Sequence, residues 1–196
     1  GGDLNTASGR YSLIGGGLEN NAPGPFSVVD GGEANAATAF ASCIGGGAYN
    51  AATAYASGVG GGWHNTVTGY AGVTGGGDSN RVSGAWSVVG GGNSNAVTGM
   101  DGTIAGGWSN TVFEYAAVIS GGFQNKNYGY AGAIAGGNAN YVGSDSSYGV
   151  VAGGYSNSAL AYAVAMPGGY ENAAYGDLSA IGGGSNNTVH GYAGLV

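Results

Sequence analysis

The pattern Gly-Gly-x-x-Asn recurs thirteen times along this chain, and with one exception its asparagines stand fifteen residues apart. They are Asn5, Asn20, Asn35, Asn50, Asn65, Asn80, Asn95, Asn110, Asn125 and Asn140, followed, after a slip of two residues, by Asn157, Asn172 and Asn187. A fixed period that fills a sequence belongs to a stacked-repeat architecture, in which each unit buries its apolar side only against its neighbours. The reading is therefore one β-solenoid array over residues 1–196, of about thirteen 15-residue coils, with a two-residue insertion near 143–146.

Number each repeat so that its asparagine is position 11. Position 5 then reads Ile14, Val29, Ile44, Val59, Thr74, Val89, Ile104, Ile119, Ile134, Val151, Met166, Ile181 and Val196, an almost wholly β-branched column that favours strand. Helix is disfavoured by 47 glycines in 196 residues, each costing about 0.5–1 kcal/mol relative to alanine in a helix interior. Position 13 is Val or Ala in every repeat except one, where Asn127 stands beside Lys126. A period of two places 11, 13 and 15 inward and 12 and 14 in solvent. The Gly-Gly pair at positions 7 and 8 predicts a sharp turn with positive φ, and the asparagines predict a side-chain amide ladder from coil to coil, since parallel strands stack about 4.7–4.9 Å apart.

The first strand is apolar or small on both faces, and a strand of that kind is normally covered on both. One face can line the coil's own core, so the other calls for a partner, most economically another copy of the chain. A coil burying about three aliphatic side chains gains about 1.5–3 kcal/mol for each, against about 1–2 kcal/mol of backbone entropy per fixed residue, so stability has to come from neighbouring coils and chains. The sequence starts and stops within a repeat, which leads us to expect a segment of something longer or a unit that stacks end to end.

The stretch GGGNSNAVTGMDGTIAGGWSNTV resembles the head repeats of trimeric autotransporter adhesins and the similar repeats of phage tail-fibre shafts, and the likeness covers essentially the whole chain. It implies a left-handed parallel β-roll whose three chains pack side by side through apolar strand faces. It also implies an extracellular setting, on a bacterial surface, a virion fibre or a free filament. In the adhesin heads a small residue usually stands where this chain keeps asparagine, and the repeats are commonly shorter.

Charged residues are 7% of the chain, three basic against ten acidic, for a net charge of −7. That balance disfavours a nucleic-acid partner, and no apolar run approaches the roughly 18 residues of a membrane-spanning helix. Cys43, the single cysteine, lies in an apolar column and is expected to be buried. The histidines His64 and His190 sit on different coils, the carboxylates form no column, and neither calcium spacing nor a phosphate-loop Lys-Ser/Thr pair is present, so no enzyme chemistry, metal or cofactor is expected. Asn186-Asn187-Thr188 is a glycosylation sequon of the kind chance supplies in a chain this rich in Asn and Thr.

Aromatic residues at position 9, namely Trp63, Trp108, Phe123, Tyr155 and Tyr170, are expected to be exposed, where they either cover neighbouring turns or stack on a host glycan or surface receptor. The tyrosines at position 1 (Tyr55, Tyr70, Tyr115, Tyr130, Tyr162 and Tyr192) read as packing residues. The leading expectation is a non-enzymatic structural or adhesive fibre module that self-associates, most simply as a trimer. A dedicated glycan- or receptor-binding tip and a subunit of an extracellular filament are the alternatives. An ice-binding solenoid ranks last, because paired threonines at positions 12 and 14 occur only at Thr66 and Thr68.

Overall fold

The computed structural model describes residues 1–196 as an all-β parallel β-solenoid of about twelve turns with no helix. Thirteen asparagines bound twelve intervals, so the count of turns follows from the repeat itself. The chain divides into two compact units, Gly1–Val97 and Thr98–Val196.

In the first unit, the strands Leu13–Ile14, Val28–Val29, Cys43–Ile44, Gly58–Val59, Val73–Thr74 and Val88–Val89 form one parallel ladder. A second ladder joins Ala36–Ala37, Ala51–Ala52, Thr66–Val67, Arg81–Val82 and Ala96–Val97. Register is in step with the repeat, as in Val59 opposite Thr74 and Val67 opposite Val82. The second unit repeats the arrangement, with Thr103–Ile104 through Ala165–Met166 in one ladder and Thr111–Val112 through Thr188–Val189 in the other. A third ladder, one residue wide, runs along position 9, from Asp3 to Asn93 in the first unit and from Trp108 to Ser185 in the second. Each turn is thus three-sided.

Every strand is only two residues long, so alternation amounts to one outward and one inward residue, and the corners decide which is which. The lumen is filled by position 5 (Val29, Ile44, Ile104, Ile119), position 13 (Ala37, Val67, Val82, Val97) and the position-11 asparagines from Asn20 to Asn172, all essentially inaccessible to solvent. Position 4 points outward, and this corrects the expectation for Cys43: its thiol is exposed, because it neighbours the inward Ile44 on a strand whose side chains alternate.

The corners are made by left-handed backbone. Position 8 is glycine at φ between +80° and +112° in all thirteen repeats. At Gly62 an added Cβ would run into the carbonyl oxygen of Gly77 on the next coil. The other two corners carry ordinary residues: all thirteen residues at position 10 and all thirteen at position 2 have φ between +49° and +60°. Such a conformation costs a non-glycine residue about 1–2 kcal/mol. What holds it is hydrogen bonding that reverses direction. The amide of Trp63 donates forward to Gly77 O at 2.9 Å, whereas that of His64 donates backward to Ala48 O at 3.1 Å, and Ala71 at position 2 likewise reaches back to Tyr55 O at 2.9 Å. Each bond is worth about 0.5–1.5 kcal/mol net and leaves no corner amide orphaned.

Left-handed backbone at position 2 also makes the first strand start late, at position 4. The position-1 tyrosines therefore do not continue the inward face; they stand at the corner, each with about half its surface exposed, as in Tyr55 and Tyr70.

The two-residue insertion lies between Tyr141–Val142 and Val150–Val151. It adds a turn in which Ser146 N donates to Gly143 O at 3.0 Å, while Gly149 N to Ser146 O, also at 3.0 Å, keeps the corner bond that Gly72 N makes to Gly69 O in a regular coil. Asn127, the single exception in the inward Val/Ala column, pairs in register with Val142, the residue just before the insertion. The two departures from the repeat are one local feature.

Candidate functional site

The ladder asparagines occupy the lumen rather than any surface. Asn35 shows the repeating unit: its backbone N–H and its Nδ2 both donate to Asn20 Oδ1, at 3.0 and 3.1 Å. The same Nδ2 reaches Gly31 O at 3.0 Å and Gly47 O at 2.8 Å. Two glycine carbonyls at the tight turn and, through Oδ1, the backbone amide of the next coil's asparagine are satisfied by one side chain per coil, which is why asparagine recurs there. The same contacts recur from Asn20 to Asn80 in the first unit and from Asn125 to Asn172 in the second, where Asn157 reaches Asn140 Oδ1 at 3.1 Å across seventeen residues, so the insertion leaves the ladder in register. Asn5 shares the turn role, donating to Gly17 O at 2.8 Å.

The position-9 aromatics do not gather into one patch. In the first unit Trp63 is 49% exposed and belongs to a cluster with Tyr49 (centroids 5.0 Å apart, edge-on) and His64 (5.0 Å), while Tyr49 and His64 stack at 5.0 Å. The Tyr49 hydroxyl donates to Glu33 Oε1 at 3.0 Å, spanning the small Ala48 that lies between Glu33 and Trp63 on the ladder. This hydrogen bond, reinforced by the negative charge of Glu33, raises the Tyr49 pKa above the ordinary tyrosine value. In the second unit Trp108 meets Phe123 edge-on at 5.1 Å and Tyr155 stacks on Tyr170 at 5.1 Å. Asn138 separates the two pairs along the ladder. Phe123 is only half-exposed; Trp108, Tyr155 and Tyr170 are open.

A larger aromatic array lies at the corner formed by positions 1 and 2. In the first unit Tyr11, Phe26, Phe40, Tyr55, Tyr70 and Trp86 form an unbroken row of touching rings, some stacked and some tilted or edge-on, with successive centroids 5.1–5.6 Å apart. In the second, Tyr115, Tyr130, Tyr148 and Tyr162 continue in the same way at 5.5–5.8 Å. Tyr192 lies open at the same corner and His190 stacks on Tyr175 at 4.9 Å. Beside the first stack run the outward side chains of Leu13, Cys43, Val73 and Val88, all exposed. Gly58 leaves a notch in that column: a Cβ there would meet only Cys43 Sγ and Val73 Cγ2, at ordinary contact distances of 3.4 and 3.8 Å. Sequence reading of position 1 alone missed this array, because the stack alternates between positions 1 and 2 according to which carries the ring.

Two further tyrosines are perturbed, Tyr115 by a hydrogen bond to Asp101 and Tyr170 by one to Glu171, each raised from the ordinary value and each helped by the carboxylate's charge. The chain matches no protein-family model and no curated protein sequence.

Proposed function

We propose that the chain is a non-enzymatic structural module of an extracellular fibre or adhesin, whose copies associate side by side, as left-handed rolls in a trimer, through the outer face of the first-strand ladder. The observation that carries this reading is the exposed aromatic stack with its neighbouring Leu13, Cys43, Val73 and Val88. Six rings of about 150–250 Å² each, between 41% and 66% exposed, leave on the order of 600 Å² of aromatic surface in the first unit alone. The largest apolar patch on a typical monomer is about 300–600 Å², and a stable interface takes about 800 Å² from each partner. Stacked rings with a valine column beside them and a notch at Gly58 offer the area and the relief that packing of like copies requires. The resemblance of the repeat to adhesin heads and tail-fibre shafts favours three copies and an extracellular setting.

A second reading rests on the Trp63, Tyr49, His64 and Glu33 cluster, in which an open indole lies beside a tyrosine-bound carboxylate. A ring face with an adjacent acceptor is suited to a sugar of a host glycan or surface receptor.

Light scattering with electron microscopy of the same sample tests the assembly. Discrete trimers that fall to monomers in a Val73→Lys, Val88→Lys double variant support the proposal. A concentration-independent monomer with the face intact sinks it.

A further inference from the structure

Beside the one place where the repeat is broken, next to Asn127, lies a surface concavity. Ser109, Gln124, Lys126, Ala139, Asn140 and Tyr141 line a half-open depression of about 430 Å³, within the range of about 300–1,000 Å³ common for small-ligand sites. It lies between the position-10 corner, which supplies Ser109, Gln124 and Ala139, and the outer face of the second-strand ladder, where Lys126 and Tyr141 are register partners. The depression comes from alternation in size: Gln124 stands between the small Ser109 and Ala139.

Its chemistry differs from the rest of the unit. Lys126 is the only Lys or Arg between Thr98 and Val196, and no ion pair or hydrogen bond engages its ammonium group. Five carboxylates (Asp101, Glu114, Asp145, Glu171 and Asp177) against this one lysine give the unit a charge of −4 (1 − 5), so the depression is a local positive point in an anionic field. Beside it the Tyr141 ring is braced by Tyr128 at 5.6 Å, and Tyr128 stacks on Phe113 at 4.3 Å and 10°. Tyr128 and Tyr141 are half-buried, so these rings are held by their neighbours rather than free to swing. Beneath them Asn127 is fixed by two hydrogen bonds, Nδ2 to Val118 O and Oδ1 from Gly129 N, both at 3.1 Å.

We infer that this depression binds a carboxylate-bearing sugar unit. Lys126 would take the carboxylate, the Gln124 amide and the Ser109 hydroxyl would meet ring hydroxyls, and the Tyr141 ring edge and face would pack against the C–H side of the pyranose. A ring with one anionic substituent fits a site with one cation, two neutral polar groups and one braced aromatic wall. The site belongs to the second-strand ladder, a different side of the turn from the proposed assembly face, so it does not depend on self-association.

The test is a ligand-observed NMR titration of the full chain with an oligosaccharide of hexuronate, a nonulosonate-terminated oligosaccharide, and the carboxyl-reduced neutral counterpart of each. The expected result is binding of one or both acidic sugars, about fivefold more tightly than their neutral counterparts, the size an exposed charge pair supports. Whichever acid binds identifies the source. Lys126→Gln should erase that preference without changing the melting temperature, and Tyr141→Ser should weaken acidic and neutral forms alike. Equal binding of acidic and neutral sugars, a preference that survives Lys126→Gln, or binding of acidic peptides with no sugar binding would overturn it.

Discussion

Asn127 Oδ1 accepts a hydrogen bond from the backbone N–H of Gly129 at 3.1 Å, where the equivalent N–H of a regular coil, Gly69, reaches forward to Val82 O at 3.2 Å. The polar residue in the apolar column supplies an acceptor where the following coil leaves the repeat.

Replacing Asn127 with valine, which with alanine fills the rest of its column, should therefore destabilise the protein. It leaves the Gly129 N–H without the acceptor that Asn127 supplies and removes a donor to the Val118 carbonyl, and the cost should be about 1–3 kcal/mol. Deleting Ser144 and Asp145 together with Asn127→Val should recover part of that loss. Denaturant unfolding of the two single changes and the combination forms a cycle, and strict additivity would separate the asparagine from the insertion.

The ladder can be tested at its centre. Asn65→Ala removes donors to Gly61 O and Gly77 O and the acceptor used by Asn80, and should cost on the order of 2–4 kcal/mol. Asn65→Asp should be worse at neutral pH, since a carboxylate would face three oxygen acceptors, and should partly recover as acid protonates it. Thermal melts at two pH values distinguish the variants. Equal melting of Asn65→Ala and wild type would remove the amide from any structural role.

Gly62→Ala should destabilise by about 2 kcal/mol or more, combining left-handed strain with collision against Gly77 O. Ala71→Gly, at a left-handed corner already occupied by alanine, should lie within about 1 kcal/mol of wild type, because relief of strain is offset by unfolded-chain entropy. Chemical denaturation of both reads the contrast.

Alkali should loosen the fold. The pKa values of Tyr49, Tyr115 and Tyr170 are raised by bonds to Glu33, Asp101 and Glu171, so the folded state holds those protons more tightly than the unfolded chain. Their contribution is present in full below the ordinary tyrosine pKa and is lost as pH climbs through the raised values. Melting temperature should fall across that window, and Tyr49→Phe should flatten the fall. Ultraviolet titration should show phenols ionising later than free tyrosine.

The parts of this fold written in the sequence are those in which side-chain identity is forced. Only an amide can serve the turn carbonyls and its own neighbour, and position 5 is β-branched in all but Met166, so both columns are visible by eye. The left-handed corners at positions 2 and 10 are invisible because Ala71, Trp86, His64 and Gln124 carry no shared signature: the neighbouring coils, not the residue, impose the conformation. The third ladder is hidden for a related reason, since a strand one residue wide has no alternation to detect. Cys43 was misplaced because an apolar column looks alike whether it faces lumen or solvent. The Lys126 depression depends on three successive coils contributing Ser109, Gln124 and Tyr141, and their adjacency is legible only once the period is laid out as a grid.

Corners that accept Leu4, Tyr11, Glu19, Trp86, Asp101 and Gln124 in one backbone geometry amount to a rack of interchangeable panels. Whatever strain an occupant bears is common to nearly all of them, so exchange between them leaves the frame untouched. A lineage built on such a frame can repaint its outward surface residue by residue while the scaffold that presents the change stays the same.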